Sequence, residues 1–169
     1  MTNPFRKLRA WAYFKNAGVK LGKGVLLKGL SYDIIVGKDL QIYDHCVIEM
    51  VGDAAKLAIG QGCLLSYGVL LSCKEAITIG NDVMIGEYTS VRDASHSYKD
   101  RAKSMKAGVD ISSPIIIADD VWIGRGCIIM GGTVIETGVV VAANSVVKGR
   151  LEKYGIYGGT PAHLIKERG

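Results

Sequence analysis

From Ile117 the chain runs IADDVW IGRGCI IMGGTV IETGVV VAANSV V, with Ile or Val at every sixth position: 117, 123, 129, 135, 141 and 147. The fourth residue after each of the first five is Val121, Cys127, Thr133, Val139 or Ser145, small or β-branched. Gly, Ala, Asp and Asn crowd the sites between. A helix of period 3.6 cannot keep that pattern on one face. Six residues do fit a short strand plus a tight corner, the β-branched residues suiting the strand and Gly, Asn or Asp the bend. Three such units close an 18-residue triangular turn, so the expected fold is an all-β solenoid whose aliphatic side chains stack inward from coil to coil.

The same frame recurs upstream as IGNDVM IGEYTS VRDASH from Ile79, IGQGCL LSYGVL LSCKEA from Ile59 and VGKDLQ IYDHCV IEMVGD from Val36. Val36, Ile59, Ile79 and Ile117 lie 23, 20 and 38 residues apart, exceeding one turn by 5, 2 and 20. The large excess falls between His96 and Ile117, around SYKDRAKSMKAGVDISSP. This places a protruding loop at 97–114, polar and without the repeat, which must leave the prism because buried loop backbone would lack partners.

Ahead of the repeats, NPFRKLRAWAYFKNAG carries Phe5, Leu8, Trp11 and Ala12 at helical spacing, with Arg6, Lys7, Arg9 and Lys15 between them and Gly18 as a stop. Residues 1–18 are therefore expected to form a helix capping the coil, with a membrane-surface helix as the alternative. Residues 19–167 are expected to form the β-helix domain. The stretch 126–147 holds one charge, Glu136, and is long enough to span a bilayer, but its four glycines and short period favour the coil.

With 169 residues, 49% of them apolar, the chain has material for one domain and a sizeable core. Its formal charge of +5 suits an anionic small molecule, and no basic run interleaved with aromatics points to nucleic acid. Cys46, Cys63, Cys73 and Cys127 lack CxxC spacing and no secretory signal opens the sequence, so buried free thiols in a cytoplasmic protein are expected.

The repeats, the segment IGNDVMIGEYTSVRDASH, the loop after it, IIIADDVWIGRGCIIMGGTVI and the tail GIYGGTPAHLIKERG together resemble the hexapeptide-repeat acyltransferases. The likeness covers roughly 20–167 and is nearest to sugar O-acetyltransferases of the maltose and galactoside type and those of polysaccharide biosynthesis. It implies a left-handed parallel β-helix, a homotrimer with sites between subunits, acetyl-CoA as co-substrate and no metal. Acetyl transfer from a thioester to a hydroxyl needs a base at the attacking oxygen, and a neutral imidazole serves near neutral pH.

His96, in DASHSYKD, falls at the family's catalytic histidine position and is the one of three histidines beside the large insertion. Asp93, three residues earlier, is the candidate for orienting its ring, with Asp100 and Glu87 as alternatives. Trp122 and Gly124 match the V-W-I-G element lining the pantetheine groove in that family. Arg125, Ala143 and Lys148 fall near its CoA-contacting positions, and His163 and Lys166 where relatives carry cations for the nucleotide phosphates. Ser66, Glu87 and Asp100 are the candidate acceptor contacts; Ser66 or Gly68 stands where galactoside-type enzymes have an asparagine, so the acceptor is left open. His45 receives no role.

Three other readings share the prism. A zinc enzyme of the γ-class carbonic anhydrase type needs histidines paired in sequence, and His45, His96 and His163 are far apart. A non-catalytic scaffold needs neither the histidine before the loop nor the tail. An N-acetyltransferase on an amino sugar or small amine is the runner-up, although enzymes for nucleotide-linked amino sugars commonly carry a further N-terminal domain.

Overall fold

The structure, a computed structural model, describes Phe14 and residues 18–29 and 33–169. The expected N-terminal helix lies outside the described residues, apart from Phe14, which is buried, and Gly18, which has a positive φ of 73°.

Short parallel strands wind through three faces of a triangular prism. The first face runs from Lys20–Leu21 through Gln41–Ile42, Leu64–Leu65, Met84–Ile85, Trp122–Ile123 and Val140–Val141 to Gly155–Gly159. The second begins with Leu26–Gly29 and ends with Val146–Val147; the third begins with Asp33–Val36 and ends with Arg150–Leu151. Six complete coils result among the described residues. This is the parallel β-helix expected from the period, of the left-handed type that belongs to hexapeptide repeats.

The inward positions are the periodic aliphatics. Ile117, Ile123, Ile129, Ile135, Val141 and Val147 are all buried, as are Val121, Cys127, Thr133, Val139 and Ser145 at the intervening corners. Each fully buried Ile or Leu contributes about 1.5–3 kcal/mol through the surface it removes from water. Coil register follows the spacing: Val36 pairs with Ile59, Ile59 with Ile79, and Ile79 with Ile117.

All length variation is confined to one prism edge. From first face to second, and from third to first, successive core positions are always six residues apart, as in Ile85 to Val91 and Ile117 to Ile123. From second face to third the steps differ: Ile48 to Ile59, Leu71 to Ile79 and, longest, Val91 to Ile117. At the two strict edges, Asp and Asn side chains reach back one coil and accept backbone N–H bonds. Asp44 takes that of Lys23 at 2.8 Å, and Asp119 that of Asn81 at 2.7 Å. The polar corner residues are thus inter-coil ties.

The protrusion begins earlier than residue 97. Ala94–His96 already leaves the prism and pairs antiparallel with Asp110–Ser112, matching Ala94 to Ser112 and His96 to Asp110. A short 3-10 turn at Met105–Ala107 lies in the intervening loop, and Ile115–Ile117 rejoins the third face. After the last coil, Ala162–Glu167 turns back antiparallel on Gly155–Gly159, and Arg168 ties it to Asp120 at 2.8 Å. Among the described residues, no helix is long and apolar enough to cross a membrane.

Candidate active site

His96 ends the outgoing arm of the hairpin, with its side chain 75% exposed. Its Nδ1 lies 2.6 Å from Oδ1 of Asp110, directly opposite on the returning arm. The other oxygen of Asp110, Oδ2, lies 3.2 Å from Nζ of Lys74, on the corner of the coil before. The Lys74 ammonium, and after it the His96 ring, hold the Asp110 carboxyl below its ordinary range. An ionised carboxylate only accepts hydrogen bonds, so Nδ1 is the donor in this contact, and in a neutral ring Nε2 is then the acceptor.

Asp93 is not the partner of His96. It is buried, and its carboxylate accepts the backbone N–H groups of Lys74, Glu75 and Ala76 at 2.7, 2.7 and 2.9 Å. It repeats, threefold, the inter-coil tie of the other corners, at the base of the hairpin. Nor do the alternatives meet the ring. Asp100 accepts the N–H of Ala102 at 3.0 Å and pairs with Lys103 at 3.5 Å. Glu87 and Ser66 sit half-buried at the edge between the first and second faces, away from the hairpin.

Asp110 was missed in the sequence because three-residue arms carry no measurable alternation. The available signal was the pairing of ASH with DIS across a polar loop with three lysines and two serines.

On the other side of the hairpin, Ser95 and Ile111 overhang the second face and enclose a cavity of about 360 Å³ with Arg92, Met130 and Lys148. Lys148 is therefore near the hairpin. Trp122 is not: it stands 52% exposed on the first face, in register with Met84, itself 48% exposed. Arg125 and Ala143 are exposed at the neighbouring edge. Gly124 is explained by the coil beneath it, since a Cβ there would come 2.7 Å from the Ala143 nitrogen. His163 and Lys166 are exposed on the C-terminal antiparallel strand. One chain therefore brings together His96 and Asp110, places Lys148 at the opposite side of the same hairpin, and leaves Trp122, Arg125, Ala143, His163 and Lys166 on another side of the prism.

All four cysteines are free and buried, each thiol pushed up by burial; for Cys73, with Asp93 beside it, the value reaches about 12. Among the described residues, no three His, Cys, Asp or Glu side chains are grouped as a metal ion would need.

The six-residue repeat that builds this prism is the one that defines the hexapeptide transferases. The bacterial transferase hexapeptide model, of six repeats, matches residues 114–149. A chloramphenicol acetyltransferase from Agrobacterium fabrum is 42% identical over 173 residues, covering 98% of this chain and 75% of that protein. The chain belongs to the hexapeptide-repeat transferase family. A protein of Escherichia coli K12 named "Putative lipopolysaccharide biosynthesis O-acetyl transferase WbbJ" is 35% identical over 100 residues, 55% of this chain and 51% of that one. The chain thus spans about half the length of several curated relatives. Among solved structures, a variant of AntD, an N-acyltransferase from Bacillus cereus in complex with dTDP and coenzyme A, superimposes with a TM-score of 0.77 at 25% identity, covering 94% of this chain and 89% of that one. A hexapeptide-repeat acetyltransferase from Vibrio cholerae, complexed with acetyl coenzyme A, gives 0.57 at 27% identity over 99% of this chain and 80% of that one.

Proposed function

We propose that this protein transfers an acetyl group from acetyl-CoA to a hydroxyl of a sugar or polysaccharide precursor, with His96 as general base and Asp110 fixing its tautomer. The observation that carries this reading is the 2.6 Å contact between His96 Nδ1 and Asp110 at an exposed hairpin. Nε2 takes the proton of the acceptor hydroxyl as its oxygen attacks the thioester carbonyl. The tetrahedral intermediate then expels the CoA thiolate, and the imidazolium returns the proton to that sulfur.

The residues present suit acetyl-CoA. Trp122 offers a flat, half-exposed ring beside small corner residues, and the exposed cations Arg125, Lys148 and Lys166 suit phosphates. Because His96 and Trp122 lie on different sides of one prism, the reading includes a homotrimer in which each site draws on two chains. The exposed Met84–Trp122 ladder supplies an apolar surface for that contact. Buried free thiols fit a reducing, cytoplasmic setting.

Two relatives favour different acceptors. Chloramphenicol, in the name of the 42% identical relative, offers hydroxyls and no free amine. AntD is an N-acyltransferase, which keeps an amine on an amino sugar as the second reading.

The test is thiol release from acetyl-CoA across mono-, oligo- and nucleotide-linked sugars, amino sugars and chloramphenicol, for wild type and His96→Ala. Acceptor-dependent release should fall roughly 100- to 10,000-fold in the variant. Wild-type turnover in His96→Ala sinks the mechanism. An absence of release with every acceptor, beside no binding of acetyl-CoA, favours a non-catalytic scaffold.

A further inference from the structure

Behind the His96–Asp110 pair the chain carries a third group that the acetyl transfer described above leaves unassigned. Lys74 sits on the second-to-third edge of the preceding coil, and its side chain is 28% exposed against 33% for that of Asp110. Its own backbone is pinned, because its N–H donates to Asp93 Oδ1 at 2.7 Å. The order of contact is continuous: buried Asp93 fixes the Lys74 corner, Lys74 Nζ meets Asp110 Oδ2, and Asp110 Oδ1 meets His96 Nδ1.

We propose that Lys74 is a positioning residue that shares the Asp110 carboxylate with His96, and so weakens the hold of that carboxylate on a proton at the ring. This rests on the general-base reading of His96. A lone carboxylate stabilises an imidazolium, and a carboxylate already shared with an ammonium does so less. It also binds the arms of the hairpin to the prism, so that the orientation of the ring is inherited from a rigid coil and not from a loop.

The other charged groups on elements around the pair are Glu75 on the same corner, Asp93 at the hairpin base, and Lys99, Asp100, Arg101, Lys103 and Lys106 on the loop. Asp93 is engaged by three backbone N–H groups and Asp100 by Lys103. Lys74 is the cation at ion-pair distance from Asp110.

The experiment is an NMR titration of the three histidine rings in the full chain, with the His96 signal assigned by its loss in His96→Ala, for wild type, Lys74→Met, Lys74→Arg and Asp110→Asn. Lys74→Met should raise the His96 pKa by about 0.5 to 1 unit, Lys74→Arg should leave it near wild type, and Asp110→Asn should move it down. With any acceptor found active, the acid limb of kcat/KM should move in the same directions while KM for acetyl-CoA stays put. An unmoved or lowered His96 pKa in Lys74→Met overturns the inference, as does an equal shift in Lys74→Arg, which would mark a packing effect. Wild-type turnover in His96→Ala removes the general-base reading and this inference with it. A dead His96→Ala beside an unmoved Lys74→Met removes this inference alone.

Discussion

His96 and Asp110 face each other across two three-residue strands, 14 residues apart in sequence and 2.6 Å apart at Nδ1 and Oδ1. Their separation is set by antiparallel pairing, so the ring has one carboxylate to meet.

That geometry gives Asp110→Asn a defined phenotype. The amide can present its NH2 group to Nδ1 and favour the wrong tautomer, so kcat should drop by between about 10-fold and 10,000-fold, the span seen when an orienting carboxylate is lost. KM for acetyl-CoA should hold. Steady-state kinetics with wild-type-like kcat would assign the contact to loop structure alone.

Acid should weaken the same contact. Lys74 first, and His96 second, keep the native Asp110 carboxyl below its ordinary value of about 4. For a lowered carboxyl, the stabilisation is present above the unfolded-state value and is lost as pH falls through the native one. The carboxylate's share of the Tm difference between wild type and Asp110→Asn should therefore be present above the ordinary carboxylate value of about 4 and be lost as pH falls below it through the native Asp110 value. A difference that keeps widening below the ordinary carboxylate value of about 4 would contradict the assignment.

Asp93→Ala tests a structural role. Removing the carboxylate strands three inter-coil N–H groups at the hairpin base, and about 2–4 kcal/mol of stability should go with it. Denaturant unfolding measures this directly. Full stability with lost turnover would return Asp93 to the chemistry.

The thiols offer a simple check on the core. With all four buried and Cys73 pushed up to about 12, a chromogenic disulfide reagent at pH 8 should label the native protein far more slowly than the unfolded one, where four groups per chain react. Fast labelling of any of them in the native state would show that the coil opens. Slow labelling also means that the protein adds no background to a thiol-release assay.

The prism was legible because its signal is repeated. Val36, Ile59, Ile79 and Ile117 could be stacked from spacing alone, and the strands then paired in that register. The hairpin was legible only as an excess of residues. Its arms are too short for a period, so the loop was expected to start after His96 when it starts at Ala94. Asp93 was misassigned for a related reason. The amides it binds lie 17 to 19 residues earlier, one coil away, and nothing local in DASH distinguishes a carboxylate tied to the coil before it from one facing the imidazole. The cofactor positions around Trp122 were proposed by likeness, and in one chain they stand apart from His96.

The C-terminal strand has a consequence for how long the molecule can grow. A coil of parallel strands ends in open N–H and C=O groups, on which the first coil of another chain could stack head to tail without limit. Ala162–Glu167 reverses direction on Gly155–Gly159 and puts His163, Lys166 and Glu167 along the outer rim, with Arg168 latched to Asp120. A chain cut after Gly159 would lose that stopper on the first face, and it should self-associate more readily than the full chain, as light scattering would show.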